Sequence, residues 1–287
     1  MKRQFTYKES PQGILYLVAT PIGNLSDLST RALSVLKEVD VIAAEDTRNS
    51  GRLLAHFDIK KPLISLHEHN ESEMSERVIS LLMDKKNVAY ISDAGSPGIS
   101  DPGQRLVQKV LAADFPISYI PGPVAAITGL IPSGINSDHF LFYGFLDSRK
   151  SRRLQELEKL AGFPYTIIFY ESSHRIKATI DDILSVFQHR KAVIARELTK
   201  IHEEYIYGSL DELATIDENS LKGEMVIIIE GLSEGEESID EDTIYQALKT
   251  RIKSQMSAKD AIREVSILYK YPKNEVSRLY YQKLKKE

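Results

Sequence analysis

Short hydrophobic runs alternate with helical patterns along the first half of the chain. The runs that predict β-strands cover residues 15–19, 41–44, 63–66, 88–92 and 117–120. Between them, apolar residues recur at helical spacing, for example from Leu25 to Val39, where residues 26–29 offer N-cap side chains. Asp101 and Pro102 predict another helix start, with Asp101 as the cap and Pro102 at the first helical position. Such alternation is typical of βαβ units and a mainly parallel sheet.

The second half of the chain is also mixed, and a domain boundary is predicted at 132–134, where the pattern pauses. Strand patterns cover residues 140–145, 166–170, 193–195, 205–207 and 225–230, and helical patterns lie at 154–160 and 176–187. The last strands follow one another with less helix between them, which favours antiparallel pairing. The sequence therefore predicts two α/β domains, residues 1–133 with a mainly parallel sheet and residues 134–235 with a mixed sheet.

The end of the chain differs in charge from the rest. An acidic run from Glu236 to Asp242 predicts a linker or helix-capping segment, and residues 243–287 have helical patterns, with Pro272 at the start of the last helix. This stretch contains eleven basic and four acidic residues, a net charge of +7, although the whole chain carries −4. We therefore predict a basic helical C-terminal unit, residues 236–287, whose charge suits nucleic acid.

Composition narrows the class of protein. The 287 residues are 42% hydrophobic and 27% charged, as in soluble globular proteins of about two domains. Because the chain has no cysteine, disulfides, thiolate metal sites and a cysteine nucleophile are excluded. The N-terminus lacks the apolar segment of a signal peptide, and no stretch approaches the ~18 apolar residues of a membrane-spanning helix. We therefore expect a cytoplasmic protein.

Three loops have the same order of features: a predicted strand ends, small residues and proline follow, and a helix then begins. They cover residues 19–24, 92–103 and 121–126. Ligands of open α/β sheets bind outside the carboxyl ends of the strands, where glycine lets the backbone approach them, so the loops could form one pocket wall. The alternative is that each loop is only a tight connection. Phosphate-loop, dinucleotide and nucleophile-elbow motifs are missing, which favours an adenosyl ligand without phosphate.

Ionic and polar side chains follow several of the predicted strands. They are Glu45, Asp46, Arg48, His67, Glu68, His69, Asn70, His174, Arg175, Arg196, Glu197 and Lys200. The spacing of His67 and His69 is compatible with metal binding, but a clear third ligand is lacking, so we predict no metal site. Residues 45–48 could instead form a helix cap with a surface ion pair. Arg175 and Arg196 could equally be structural ion-pair partners.

Several of these segments together resemble one known family. The matching stretches are residues 17–25, 44–48, 92–103, 121–123, 170–175, 195–200 and 222–225, in the same order and spacing. They resemble the ribosomal RNA small subunit methyltransferase I family, of the tetrapyrrole methylase-like superfamily, from about residue 14 to residue 231. The resemblance implies two α/β domains with S-adenosylmethionine in the cleft between them, and a homodimer. It also implies methyl transfer to the ribose 2′-hydroxyl of a decoding-site cytidine in small-subunit (16S) ribosomal RNA.

The resemblance also implies roles for individual residues. The donor-binding residues would be Thr20, Pro21, Gly95, Ser96, Ile99, Val124, Ala125, Tyr170, Leu198 and Met225. Cationic side chains suited to RNA phosphates are Arg48, Arg175, Arg196 and Lys200. The acceptor hydroxyl needs a group that takes its proton, for which Glu45, Asp46 and His174 are the main candidates, beside His67 and Glu68. The sequence does not rank them.

Two other functions remain open at this point. A methyltransferase of this superfamily could act on a porphyrin-like small molecule, although such a substrate does not need a long basic arm. A non-catalytic RNA-binding factor could also have kept the scaffold. Binding of S-adenosylmethionine separates the second alternative from an enzyme, and the identity of the methylated product separates the first.

Overall fold

A computed structural model describes residues 3, 12–217, 220–232, 241–254, 256–269 and 271–284. The chain divides into two compact units. The first consists of Met1–Gly134, Ile194–Tyr205 and Lys222–Val226, and the second of Ile135–Val193, Ile206–Leu221 and Ile227–Glu287. The predicted domain boundaries at residues 133 and 235 stay predictions, and residue 235 lies outside the described ranges.

The first sheet has five strands in the order β3-β2-β4-β1-β5. Its strands are β1 (Leu15–Val18), β2 (Val41–Ala44), β3 (Leu63–Ser65), β4 (Val88–Ile91) and β5 (Ile117–Ile120). The helices of this unit are α1 (Thr30–Glu38), α2 (Thr47–His56), α3 (Glu71–Met83), α4 (Gln104–Ala112) and α5 (Ala125–Ser133). All its strand pairs are parallel, with Val88 aligned to Leu15 and Val41. The predicted mainly parallel sheet is therefore confirmed, and each strand ends within one residue of its predicted limit.

Both faces of this sheet are covered, which is why its strands are continuous apolar runs. Every residue of β2 and β4 is buried. Successive residues of β4 point to opposite faces: Tyr90 packs in one hydrophobic cluster with Leu106 of α4, and Ile91 packs in another with Leu36 of α1. This packing holds the carboxyl ends of the strands, and the loops that follow them, on a rigid base.

The start of one helix agrees with the sequence and that of another does not. The pattern from Leu25 begins as a short 3₁₀ turn, and the N-cap of α1 is Ser29, within the predicted range 26–29, whose side chain accepts the N–H of Ala32. Asp101 and Pro102 do not begin a helix. Residue 103, a glycine with φ of 128°, is the N-cap of α4.

The N–H groups at the start of α4 are capped by a residue of a different helix. The buried carboxylate of Glu71, at the start of α3, accepts the N–H groups of Gly103 (3.0 Å) and Leu106 (3.1 Å). A carboxylate near a helix N-terminus is favourable because it satisfies first-turn N–H groups and the helix dipole. The prediction that Asp101 caps α4 was therefore wrong, because a partner distant in sequence performs that role.

The second sheet has the strand order β6-β7-β10-β8-β9. Its strands are β6 (Phe140–Phe145), β7 (Thr166–Ser172), β8 (Lys191–Arg196), β9 (Glu204–Ser209) and β10 (Glu224–Ile229), and its helices are α6 (Lys150–Leu160), α7 (Ile176–Phe187) and the short α8 (Leu210–Leu213). Strands β6 and β7 are parallel. Hydrogen bonds from Leu210 N–H to Arg190 and from Glu230 N–H to Lys191 place the ends of β9 and β10 beside the start of β8. These pairs are antiparallel, so the sheet is mixed, as predicted.

The last described part of the chain, from residue 241 to residue 284, contains three helices and a π-helical turn. The helices are α9 (Glu241–Lys253), α10 (Ala258–Leu268) and α11 (Lys273–Leu279), and the turn is Tyr280–Leu284. Pro272 is the N-cap of α11, in agreement with the sequence prediction. The three helices share a hydrophobic cluster that includes Leu248, Val265 and Val276. Most of the predicted acidic linker, residues 236–240, lies outside the described residues. None of the helices within the described ranges is long and apolar enough to cross a membrane.

Candidate active site

The first two of the three glycine-containing loops are joined by their backbones. Thr20 and Gly95 form an isolated antiparallel bridge, in which each N–H donates to the carbonyl of the other, at 2.8 and 3.1 Å. The hydroxyl of Thr20 donates to the carbonyl of Ser92 at 3.4 Å. Gly95 has a φ of 74°, which glycine adopts without strain. These contacts hold residues 19–24 against the start of loop 92–103.

The third loop joins the same surface. A Cβ atom on Gly122 would lie 2.9 Å from the Cβ of Ala19, so the close approach of these backbones requires glycine. The hydroxyl of Ser96 lies 2.5 Å from the phenol of Tyr119, at the end of β5. Val124, in this loop, is the N-cap of α5. The structure thus brings the three loops together within the first unit.

A fourth segment, residues 197–200, packs on the first loop. A Cβ on Gly23 would lie 2.7 Å from the carbonyl oxygen of Leu198 and from the hydroxyl of Thr199. Leu198 and Met225 are buried in the same unit. Nine of the ten predicted donor-binding residues therefore belong to the first unit. The tenth, Tyr170, lies on β7 in the second unit, where its ring packs edge-on against Phe142 and Phe145.

A proline, Pro132, also changes the hydrogen bonding of α5. Pro132 lies inside α5 and has no N–H, so it cannot donate to the carbonyl of Thr128, four residues earlier. The hydroxyl of Tyr205, on β9, donates to that carbonyl instead, at 3.1 Å. A long-range hydrogen bond thus replaces a helical one and ties the β8–β9 region to α5 within the first unit.

Three carboxyl groups act electrostatically on one another beside these loops: Glu45 after β2, Asp93 after β4 and Asp101 within the second loop. We call them the carboxylate cluster. The N–H of Asp93 donates to Glu45 at 3.4 Å, and the carboxylate of Asp93 accepts the N–H of Asp46 (3.2 Å) and the amide of Asn49 (3.0 Å). The backbone thus presents three acidic side chains at one edge of the sheet.

Burial and mutual repulsion change the acidity of this cluster. Burial raises the pKa of Glu45, and the charges of Asp93 and Asp46 add to the effect. Burial and the charge of Glu45 raise the pKa of Asp101 from 3.8 to about 6, partly offset by a hydrogen bond from Ser92. Glu45 and Asp101 therefore hold protons more strongly than ordinary carboxylic acids do.

Asp46 behaves in the opposite way. It is the N-cap of α2 and accepts the N–H of Arg48 at 2.8 Å, while the Arg48 guanidinium binds both of its oxygens, at 3.2 and 2.8 Å. The Arg48 side-chain hydrogen bond lowers the pKa of Asp46 to about 2. The helix cap with a surface ion pair, which the sequence left as an alternative, describes Asp46 and Arg48 in the structure. Such a strongly ionised carboxylate is a weak base.

The other predicted cations already have partners. Arg196 pairs with Glu204, and Lys200 lies 2.9 Å from Glu197. Arg175 donates to the carbonyl of Leu146 at 2.9 Å, and its Nε lies 3.4 Å from Glu171. These contacts favour the structural alternative for Arg175 and Arg196. Arg48, whose side chain is 86% exposed, has the most accessible guanidinium of the three predicted arginines.

The histidines do not form a metal centre. The rings of His67 and His69 lie 6.0 Å apart, edge to face, and Asn70 accepts the backbone N–H of His67. Within the described residues, no group of three or more His, Cys, Asp or Glu side chains could hold a metal ion. His174 is exposed in the second unit, with Nε2 3.4 Å from the hydroxyl of Ser172.

Sequence reasoning passed over Asp93 and Asp101 as candidates for chemistry. Both belong to loop 92–103, in which the sequence pattern draws attention to the glycines, and the pattern at Asp101 predicts a helix cap. Their position directly after a predicted strand end was the available signal. What the sequence did not show is that Glu71 replaces Asp101 as the cap, which leaves the Asp101 carboxylate for other contacts.

Comparison with known proteins agrees with this fold. The family model for Tetrapyrrole (Corrin/Porphyrin) Methylases matches residues 14–214. A crystal structure of uroporphyrin-III C-methyltransferase from Thermus thermophilus, complexed with S-adenyl homocysteine, has a TM-score of 0.57 at 17% identity and covers 76% of this chain and 97% of its own. At that identity the likeness concerns the fold alone. The class of protein defined by the fold is thus the tetrapyrrole methylases.

Curated relatives define the family more narrowly. Ribosomal RNA small subunit methyltransferase I of Halalkalibacterium halodurans is 43% identical over 98% of this chain and 100% of its own length. The protein of the same name from Xylella fastidiosa is 46% identical over 87% of this chain and 94% of its own. The chain belongs to the ribosomal RNA small subunit methyltransferase I family.

Proposed function

We propose that this protein transfers a methyl group from S-adenosylmethionine to ribosomal RNA of the small subunit. The observation that carries the proposal is identity of 40–46% over most of the chain to relatives named ribosomal RNA small subunit methyltransferase I. The presence of S-adenyl homocysteine in a solved structure of the same fold supports the choice of donor. The acceptor in this proposal is the ribose 2′-hydroxyl of a decoding-site cytidine in 16S ribosomal RNA, and the protein acts as a homodimer.

The three joined loops fit a donor of this kind. Gly95 and Gly122 let the loop backbones approach one another closely, and these loops lack the fingerprints that bind phosphate. In this proposal Thr20, Pro21, Gly95, Ser96, Ile99, Val124, Ala125, Leu198 and Met225 hold the donor. Tyr170, in the second unit, stays a prediction.

S-adenosylmethionine supplies a methyl group on a positively charged sulfur. The protein's main task is then alignment, because an in-line displacement needs the acceptor oxygen about 3–3.5 Å from the methyl carbon. A second task is to take the proton of a weakly nucleophilic hydroxyl. Of the predicted acceptors, Asp46 is engaged by Arg48, whereas Glu45 belongs to the carboxylate cluster. The cluster is therefore the favoured place for proton transfer.

Exposed cations of the C-terminal helices support RNA as the substrate. Arg251 and Arg278 are paired with Glu264 and Glu241. Other basic side chains of α9, α10 and α11 are exposed: Lys253, Lys259, Arg263 and Lys273. In this proposal they bind RNA phosphates, together with Arg48 and Lys200, since such contacts dominate the affinity of proteins for nucleic acids.

The test is methyl transfer from tritiated S-adenosylmethionine to small ribosomal subunits isolated from cells that lack the protein, followed by mapping of ribose methylation. We expect one labelled nucleotide, a 2′-O-methylated cytidine, that is absent from the rRNA of the deletion strain. Labelling of a porphyrin-type substrate with none on the subunit would overturn the proposal. Absence of S-adenosylmethionine binding at millimolar concentration would instead indicate a non-catalytic RNA-binding factor.

A further inference from the structure

We propose that a loop at the end of β6 is a further RNA-binding surface, which takes a single-stranded segment of the small-subunit RNA. The loop covers residues 145–152 of the second unit, from the last residue of β6 to the first turn of α6, and we call it the basic loop. Its cations bind phosphates, and the ring of Phe145 stacks on a base. The inference rests on the proposed function and deepens it, because it gives the acceptor RNA a contact surface distant in sequence from the C-terminal helices.

The basic loop and its border with α6 concentrate positive charge. Residues 147–153 have one acidic and four basic side chains, a net charge of +3. The side chains of Lys150 and Arg152 are 73% and 62% exposed, and their acidic partners, Asp182 and Asp147, lie 3.4 and 3.6 Å away. Loose ion pairs of this kind at a surface contribute little stability, so both cations can exchange them for phosphates at low cost.

Two arginines hold the backbone of the loop in place. Arg175, which follows β7, donates to the carbonyls of Leu146 (2.9 Å) and Asp147 (3.3 Å). Arg153, on α6, donates to the carbonyls of Asp147 (3.3 Å) and Ser148 (3.2 Å). The backbone of the loop is therefore ordered before RNA binds, which lowers the entropy that binding costs.

Arg153 differs from the exposed cations of the loop, because it has a structural role. Its side chain is buried, and its Nε and Nη2 donate to the carboxylate of Asp182 at 2.9 and 2.7 Å. Arg149, by contrast, is exposed and is the N-cap of α6 without a side-chain cap hydrogen bond, so its guanidinium is not used to start the helix. The charge on the surface of the loop thus suits an anionic partner and is not needed for the fold.

An exposed aromatic ring belongs to the same loop. Phe145 is 51% exposed, and its ring packs edge-on against Tyr170, with 5.6 Å between the ring centroids. A ring that is supported by a neighbour and open to solvent can stack on a base of single-stranded RNA. Cations alone would suit any polyanion, but a ring beside them favours unpaired RNA, because a duplex hides the faces of its bases.

The position of the loop in the sheet also favours a ligand. Phe145 and Arg175 follow the same edge of the second sheet, since β6 and β7 are adjacent and parallel. Ligands of open α/β sheets bind outside the carboxyl ends of such strands. The basic loop therefore combines exposed cations, an exposed ring and an ordered backbone at an edge of the sheet where ligands bind.

The first experiment measures binding of the full-length protein to small subunits from cells that lack it, over roughly 50–200 mM salt. Arg149→Gln with Arg152→Gln should weaken binding about tenfold and flatten the slope of log affinity against log salt by ~0.7 for each lost phosphate contact. Lys159→Gln with Lys191→Gln is the matched control. It removes the same charge from exposed positions of the same unit and should leave affinity and slope near those of the wild type.

Stacking is tested by Phe145→Leu, which keeps an apolar side chain and removes the ring. We expect a loss of affinity of about tenfold with an unchanged salt slope, because stacking releases no counterions. Phe145→Tyr keeps an aromatic face and should bind like the wild type. Affinity of Phe145→Leu within twofold of the wild type would overturn the stacked base.

The outcomes separate the inference from the proposed function. Wild-type protein that does not methylate the subunit contradicts the proposed function itself. With an active wild type, unchanged affinity of the arginine variant, or equal weakening by the control pair, overturns only the inference. Weaker binding of the arginine variant with an unchanged salt slope also overturns it, because the partner would then be a ribosomal protein.

A measurement on the wild type decides the case if the variants do not fold. Ultraviolet crosslinking of the full-length protein to the small subunit, followed by mass spectrometry, should yield a peptide joined to RNA through Phe145. Crosslinks confined to other parts of the chain would overturn the inference.

Discussion

Two carboxylate regions, one in each unit, have opposite surroundings. In the second unit, Glu171 on β7 is fully buried and accepts hydrogen bonds from the hydroxyl of Thr179 (2.6 Å) and the N–H of Ser172 (2.9 Å), with Arg175 at 3.4 Å. In the first unit, Glu45 and Asp101 lie among other acidic groups. One carboxylate is thus surrounded by hydrogen-bond donors, which stabilise its charge, whereas Glu45 and Asp101 are partly desolvated beside like charges, which costs stability.

The largest expected effect comes from removing the charge of Glu171, whose carboxylate is surrounded by hydrogen-bond donors. Glu171→Gln removes the buried charge beside Arg175 and leaves the guanidinium without its ionic partner, so we expect a loss of about 3 kcal/mol in the free energy of unfolding. Urea denaturation followed by circular dichroism measures it. The control is Glu158→Gln, an exposed position on α6 of the same unit, which should change stability little. Equal stability of the two variants would contradict the structural role of Glu171.

Binding of S-adenosylmethionine should depend on residues of the first unit and should not depend on Glu171 in the second unit. Gly95 has a positive φ, and its Cβ position lies 3.3 Å from Ile22 in the joined loops. Gly95→Leu should therefore weaken S-adenosylmethionine binding by at least ~100-fold, or ~2.7 kcal/mol, while the protein stays folded. Ser96→Val is the milder companion and should weaken binding without abolishing it. Calorimetry measures both, and normal affinity in folded Gly95→Leu protein would exclude these loops as the donor site.

Removing positive charge from the C-terminal helices should lower the affinity for RNA without disturbing Glu171 or the carboxylate cluster. The combined change of Lys253, Lys259, Arg263 and Lys273 to glutamine should weaken subunit binding about tenfold at moderate salt. It should also flatten the slope of log affinity against log salt by about 0.7–0.9 for each phosphate that the variant no longer neutralises. Lys60→Gln with Lys86→Gln serves as the control, since both lysines are exposed in the first unit. An unchanged salt slope would show that the C-terminal helices serve folding or dimerisation instead.

The smallest expected effect is a gain in stability when the charge of Asp101 is removed from the carboxylate cluster. The pKa of Asp101 is raised from 3.8 to about 6 in the folded protein, so the folded state binds more protons than the unfolded state between these values. Stability therefore falls as pH rises through this window, and above it the ionised group remains destabilising. Asp101→Asn should raise the melting temperature slightly at pH 8 and leave it nearly unchanged at pH 4. A lower melting temperature at pH 8 would show that ionised Asp101 stabilises the fold.

The strands of the first sheet were predictable because each is a short apolar run between turn residues, and the helix at 176–187 because its apolar residues repeat at helical spacing. The start of α4 was not predictable, since its cap lies 32 residues earlier in the chain. The acidity of Asp101 depends on burial and on neighbours from other strands, which a linear pattern does not contain. Local patterns thus predicted the loops of the site, but not the charges that act within it.

The hydrogen bonds of Glu71 have a consequence for motion. One carboxylate oxygen at the first turn of α3 accepts the N–H groups at the start of α4, so any opening of α3 also removes the cap of α4. The amides of the two helices should then exchange with deuterium as one cooperative unit. Loop 92–103 ends at that cap, so its mobility is coupled to α3, a helix that is distant from it in sequence.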